Sequence, residues 1–254
     1  MTTRAKHVVV TPYLHEASAL IVRCIASVKR QTTRTDHLVV ADGCAQDWLD
    51  REGVRHLRLD RTHADFGNAA RGIGALLAVA EDYESIAFLD ADNWLDPDHI
   101  ERCIAASRSL PGEGCDFVVA RRRWIRPDET VIENVPDEAP EWHVDTNCFV
   151  LLRGAFHLVS LWSSMPRELS AIGDRIFYTV LRNSGLSSAS VERPTVNYRC
   201  LWEYVYRAAG EPPPPGAKPS LDASAIEAWL RSRSDRELEI ASRLAGVRLQ
   251  RPET

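Results

Sequence analysis

In Ile86-Ala87-Phe88-Leu89-Asp90-Ala91-Asp92-Asn93-Trp94, a short apolar run ends in two carboxylates placed one residue apart. The run has the length and composition of a buried strand. Asp96-Pro97-Asp98 follows, in which Asp96 suits a helix N-cap and Pro97 the first helical position. Ile100, Cys103, Ile104 and Ser107 then recur at helical spacing. The segment predicts strand, acidic turn, helix. Ligands of open α/β sheets bind in the crevice beyond the carboxyl ends of the strands. Two carboxylates there, with Asn93 beside them, make a hard-oxygen cluster suited to Mg²⁺ or Mn²⁺ carrying a diphosphate.

The same alternation extends on both sides. His7-Val8-Val9-Val10-Thr11 predicts a buried first strand broken by Pro12. Residues 16–30 predict an amphipathic helix with Leu20, Ile21, Cys24, Ile25 and Val28 on one face. His37-Leu38-Val39-Val40 reads as a second strand ending in Ala41-Asp42-Gly43, and residues 54–59 as a weaker third. Asp65-Phe66-Gly67-Asn68 leads into a helix carrying Ile73, Leu76, Leu77 and Ala80. With the strand at 86–89 and the helix from Pro97, this βαβαβ-type order argues for an α/β fold with a mostly parallel sheet flanked by helices.

Beyond residue 115 the pattern changes. Strands are expected at Phe117-Val118-Val119-Ala120, at 130–133 and at 148–152, with loops at Pro127, Pro136 and Pro140. Helices are expected near 155–161 and at 173–183, the latter with Ile176, Phe177, Val180 and Leu181 inward, and a last short strand at 196–198. Glu211-Pro212-Pro213-Pro214-Pro215-Gly216 is a stiff polyproline stretch. Residues of about 222–245 then form a C-terminal helical appendage packed through Ile226, Trp229, Leu230, Leu238, Ile240, Ala241 and Leu244. The expected organisation is one domain over 1–210, in halves of about 1–115 and 116–210, followed by a Pro-rich linker and helices over 211–254.

The 254 residues carry a net charge of −5, and their 31 Lys and Arg are scattered, which argues against nucleic acid as a partner. The exception, Arg121-Arg122-Arg123 with Arg126 close by, reads most simply as a solvated strand end. No apolar run reaches the roughly 18 residues of a membrane span, and Val8-Val9-Val10 is too short for a signal peptide. Cysteines 24, 44, 103, 115, 148 and 200 form no close pairs, so they are expected to be reduced thiols in a cytoplasmic protein.

Two familiar acidic motifs fail on named residues. An EF-hand loop starting at Asp90 would put Trp94 at position five and Leu95 where glycine is needed. The phosphatase pattern with an Asp nucleophile needs Thr where Trp94 stands. Leu89-Asp90-Ala91-Asp92-Asn93 instead resembles the Asp-X-Asp motif of family 2 glycosyltransferases with the GT-A fold. Three further segments agree in order and spacing. Val10-Thr11-Pro12-Tyr13 with Glu16 resembles their first strand and the loop under the nucleotide. Val39-Val40-Ala41-Asp42-Gly43 resembles their second. Gly67-Asn68-Ala69-Ala70-Arg71-Gly72-Ile73-Gly74 is similar to their Gly-X-X-X-Ala-Arg-Asn-X-Gly segment, with Gly72 in place of Asn. The resemblance is firm over about 7–110, loose to about 205, and silent on the tail.

The resemblance implies an inverting transferase that takes a sugar from a UDP- or GDP-sugar. Asp92 would bind Mn²⁺ or Mg²⁺ directly, and Asp90 would contact the metal and the donor's ribose or sugar. Arg71 would meet the phosphate or base and Asp42 the base, with Thr11, Tyr13 and Glu16 lining the donor loop. Residues 1–115 would then be the nucleotide-binding half and 116–210 the acceptor half. A divalent cation and an arginine suit the charge that develops on a leaving diphosphate. In Ala171-Ile172-Gly173-Asp174-Arg175-Ile176-Phe177, Asp174 matches the family's general base, although its first acid is Gly173 here.

The acceptor, a hydroxyl of a sugar, lipid-linked glycan, peptide or small metabolite, would meet Trp142-His143, Asp145-Thr146-Asn147 and Leu201-Trp202-Glu203-Tyr204. His143 reads more simply as a polar loop residue than as a third metal ligand. Oligomeric state, including a homodimer, stays open. The rival readings are a nucleotidyltransferase, against which Thr11-Pro12-Tyr13-Leu14-His15-Glu16 lacks the Gly-rich basic loop, and a non-catalytic nucleotide-sugar or glycan-binding module of the same fold.

Overall fold

A computed structural model describes residues 5–109, 114–135 and 143–252; Pro136, Pro140 and Trp142 lie outside the described residues. Strands His7–Tyr13 (β1), Thr35–Ala41 (β2), Arg55–Arg58 (β3), Ser85–Phe88 (β4), Trp94–Leu95 (β5), Phe117–Ile125 (β6), Phe149–Leu152 (β7) and Ser188–Arg199 (β8) make one sheet in the order β3-β2-β1-β4-β7-β6-β8-β5. Pairing is parallel from β3 to β4 and again between β6 and β8. It is antiparallel where β7 joins β4 and β6, and where β5 joins β8. The chain is α/β, with helices Ser18–Lys29 (α1), Asn68–Ala80 (α2), His99–Ser107 (α3), Leu161–Ser164 (α4), Gly173–Asn183 (α5), Glu203–Ala208 (α6), Ser224–Ser232 (α7) and Asp235–Ala245 (α8). Among the described residues, no helix is long and apolar enough to cross a membrane.

Topology puts the acidic turn in an unusual place. It leaves β4, the fourth strand of the sheet, and enters β5, the eighth. The sheet must curl to bring these together, so the turn lies at its mouth. The main core lies between sheet and helices: Val8, Val10, Ile86, Phe88, Phe149, Trp162 and Phe177 are all sealed from solvent. The Trp162 ring meets Phe88 edge-on and stacks on Phe177, with centroids 5.8 and 4.5 Å apart.

Several elements depart from expectation for identifiable reasons. β1 continues through Pro12 to Tyr13, because its register with β4 ends at Val10 and the missing N–H has no partner there to lose. α3 begins at His99, not Pro97: Asp96 caps nothing, since its carboxylate is taken by Arg123 at 2.9 and 3.0 Å and by Asn197 at 2.9 Å. α2 turns its small residues inward. Ala70, Gly72, Gly74, Ala75 and Ala78 are buried, whereas Leu76 is exposed. β8 runs for twelve residues rather than three, and the expected strand at 130–133 is a single bridge from Val131 to Ile125. The helix expected near 155–161 is a 3₁₀ turn at Arg153–Leu158 followed by α4.

The tail is two helices broken at Ser234, whose hydroxyl accepts from the Glu237 N–H in a capping box. Ile226 and Trp229 pack with Met165, Leu169, Ile176 and Ala245, against the helix that begins at Gly173. Ile240 and Leu244, expected in that contact, face solvent.

Candidate active site

Asp90 is held by three bonds. Arg71 Nη2 donates to Oδ1 at 2.8 Å, Asn147 Nδ2 donates to Oδ2 at 2.9 Å, and the Asp90 backbone N–H donates to Asn147 Oδ1 at 2.6 Å. Asn147 also gives Nδ2 to Asp145 Oδ1 at 2.6 Å. Asp145 in turn pairs with Arg122 at 2.6 Å, and the Arg122 guanidinium lies 3.8 Å from the Trp124 ring centre and 4.5 Å from that of Tyr198. A buried polar chain thus runs from β6 to the first acid of the turn. Asp145, Thr146 and Asn147 are all buried, so the loop expected to meet the acceptor is instead internal support for the turn.

Asp92 differs. None of the described residues bonds to its carboxylate, and burial, with the charge of Asp90 next, pushes its pKa up to about 6. Arg199 and Lys218 are the cations that bear on it, opposed by Glu16. Asn93, next in sequence, is buried, and its Oδ1 accepts the Arg199 N–H at 2.8 Å.

Arg71 sits in the first turn of α2 and is buried. Besides Asp90 it bonds Asn68 Oδ1 at 2.8 Å and lies 4.8 Å from the Trp162 ring centre. Its helix opens on Gly67 at φ +78°, where a Cβ would stand 2.9 Å from Pro12. Gly72 and Gly74 serve packing: a Cβ at 72 would stand 2.7 Å from the Ser163 nitrogen, and one at 74 2.6 Å from Val10.

The other donor-loop residues are placed less openly than the resemblance implies. Thr11 is sealed from solvent and shares a 2.8 Å bond with His37. Tyr13 is 2% exposed, packs with Ala91 beneath the acidic turn, and shares its hydroxyl with His56 and the Gln46 N–H, each at 2.8 Å. Neither side chain meets open space. Glu16 accepts the Leu14 N–H at 2.7 Å. The Asp42 carboxylate takes the His63 N–H at 3.0 Å, the His63 ring at 2.6 Å and the Ala64 N–H at 2.9 Å. Burial pushes this carboxyl up, but the three donors outweigh it and its pKa lies below the ordinary value. Its visible work is to hold the loop in which Ala64 and Phe66 have φ of +51° and +59°.

Asp174 lies in the first turn of α5, its Oδ1 taking the Arg175 N–H at 2.8 Å and its Oδ2 the His143 Nε2–H at 2.8 Å. Burial again acts upward, but the His143 bond and charge prevail and hold the carboxyl low. Gly173 touches α2: a Cβ there would stand 2.6 Å from Asn68 Nδ2. An acid here, which the resemblance would place at 173, would have to push the Asn68 amide aside. His143, dismissed as a plain loop residue from the sequence, thus touches the candidate base; no sequence pattern signals this pairing. A cavity of about 680 Å³ opens on the β6–β8 side, away from the acidic turn, and its wall includes His143, Arg122 and Tyr178.

Among the described residues no three His, Cys, Asp or Glu side chains converge on one metal position. The donor set still fits a hard divalent cation. Asp92 offers an unbonded carboxylate, and Mg²⁺-type ions are commonly held by one or two carboxylates with the remaining ligands from substrate phosphates and water.

The crystal structure of S. aureus TarS 1–349 in complex with UDP superposes with a TM-score of 0.57 at 12% identity, covering 94% of this chain and 70% of that one. TarS 1–349 in complex with UDP-GlcNAc gives 0.54 at 10% identity, with 94% and 71% covered. Against the longer S. aureus TarS chain the score is 0.54 at 12% identity, and only 45% of that chain is spanned. The likeness is one of fold. No curated protein matches. The model of glycosyl transferase family 2 matches residues 8–153, more than half of the chain and the whole stretch from β1 through the acidic turn to β7. The chain belongs to glycosyl transferase family 2.

Proposed function

We propose that the protein transfers a sugar from a nucleoside-diphosphate sugar, UDP- or GDP-linked, to an acceptor hydroxyl with inversion at the anomeric carbon. The observation that carries this reading is the joint between α2 and α5. Arg71 bonds Asn68, and Asn68 lies against Gly173, so a phosphate-seeking guanidinium and the Asp174 carboxylate are held in one frame with the acidic turn. The UDP and UDP-GlcNAc in the solved relatives support a uridine donor.

In the reaction the acceptor oxygen forms its bond to the anomeric carbon as its proton passes to Asp174. The bond from that carbon to the diphosphate oxygen breaks, and the electron pair leaves with the diphosphate. Asp174 stays ionised at neutral pH because His143 holds its pKa low, so it can accept the proton. Arg71, already bonded to Asp90, would share its charge with the diphosphate, and Arg199 and Lys218 add positive charge beside Asp92. Asp92, assisted by Asp90, would hold Mn²⁺ or Mg²⁺, which supplies Lewis-acid neutralisation of the leaving diphosphate. Attack on the face opposite the diphosphate gives inversion.

The test is nucleoside diphosphate release from UDP-, GDP- and dTDP-sugars with Mn²⁺ and with EDTA. Release from one donor that needs metal, disappears in Asp92→Asn, and falls roughly 10²–10⁴-fold in Asp174→Asn with donor binding kept, is the expected outcome. Failure to bind any of these donors in Mn²⁺ would overturn the reading.

A further inference from the structure

The two oxygens of Asp174 are held differently. The Arg175 N–H on Oδ1 comes with the helix start and would be supplied by almost any residue at 175. The His143 Nε2–H on Oδ2 comes from a side chain 31 residues earlier, in the segment leading to β7. Both partners are largely buried, with 24% of the His143 side chain and 21% of the Asp174 side chain exposed. At a carboxylate the bonded ring nitrogen must be the donor, so this bond fixes the imidazole tautomer as well as the carboxylate's rotation.

We propose that His143 is the positioning partner of the general base: its bond to Oδ2 fixes the rotation of the Asp174 carboxylate. The inference rests on the reading of Asp174 as the base. Other charges face the same carboxylate. Arg122 on β6 attracts and Asp145 ahead of β7 repels, but these two are paired at 2.6 Å and offset each other. His143 is the strongest of the groups that oppose burial, and its loss leaves the Arg175 N–H and Arg122 alone against it. Burial disfavours the charged form, so the acid limb of the rate profile should move to higher pH when His143 is replaced.

Geometry supplies a discriminating pair of variants. The amide nitrogen of glutamine reaches about where imidazole Nε2 stands, whereas that of asparagine stops near Nδ1. In His143→Gln the acid limb of kcat, read by nucleoside diphosphate release with water as acceptor, should stay near that of the wild type. In His143→Asn it should rise by about one pH unit, with kcat falling roughly tenfold on the acid limb, changing little at about pH 7, and the donor KM changing less than about twofold. A ¹⁵N-histidine spectrum supplies a readout that needs no turnover: His143 should carry its proton on Nε2 in the wild type and lose that preference in Asp174→Asn. Identical limbs in both variants, or an Nδ1-protonated His143 in the wild type, would overturn the inference. Full transfer by Asp174→Asn would instead sink the base assignment itself, so the two failures are distinguishable.

Discussion

Asn147 meets the Asp90 N–H, the Asp90 carboxylate and the Asp145 carboxylate at once, and it is sealed from solvent. Replacing it with leucine would leave the Asp90 N–H and Asp90 Oδ2 without a partner, while Asp145 Oδ1 would keep only the backbone N–H of residue 147. An unsatisfied buried group costs about 1–3 kcal/mol, so Asn147→Leu should lose about 2–4 kcal/mol in urea unfolding. It should also weaken donor binding, since Asp90 would keep Arg71 but lose its other anchor. In sequence Asp145-Thr146-Asn147 reads as a polar loop able to face a sugar. What separates buried support from a binding loop is the partner on the far side, here Arg122 between two rings, and that lies outside any local pattern. The place of Asp90 and Asp92 just beyond a buried strand was legible from the apolar run before them, whereas Asp174 was singled out by the resemblance of its segment. The burial of the Thr11 and Tyr13 hydroxyls was not legible, because a hydroxyl that bonds a distant histidine reads like one that bonds a ligand.

Among the elements, α2 is the one whose sequence invites the wrong face. Its leucines and isoleucine suggest an ordinary apolar stripe, yet the helix approaches the sheet and α4 so closely that only glycine and alanine fit. Gly72 has the Ser163 nitrogen 2.7 Å from the position of a Cβ. Gly72→Ala and Gly72→Asn should therefore each lose about 1–3 kcal/mol by thermal or urea unfolding, because overpacking overrides the usual gain from removing a helical glycine. β1, β2, α1 and α5 followed from apolar periodicity alone. β8 did not: Ser188, Ser190, Glu192 and Arg193 are exposed, and the strand exists because β6 offers it a parallel edge. Long-range pairing of this kind leaves little trace in local composition.

For the molecule as a whole, two buried histidines set the acid limit. His99 is sealed from solvent beside Thr195, and His37 is nearly so beside Thr11. Burial lowers their pKa values to about 4 and about 3. An unfolded histidine takes up its proton near 6.5, so between that pH and the folded values the unfolded chain binds more protons. Stability is thus fully present above pH 6.5 and falls as the pH drops, by up to about 1.4 kcal/mol per unit for each histidine. The urea midpoint should decline from pH 6.5 to 4, and His99→Gln with His37→Gln should flatten that decline. The acidic turn has a consequence of another kind, for synthesis. Besides Arg23 and Arg71, its partners include Arg123, Asn147, Asn197 and Arg199, and the Asn93–Arg199 bond spans 106 residues. Chains emerge from the ribosome N-terminus first and fold as they lengthen. The nascent chain therefore displays both acids long before it holds most of the residues that shape them, and the turn gains its full set of partners only once translation has passed β8.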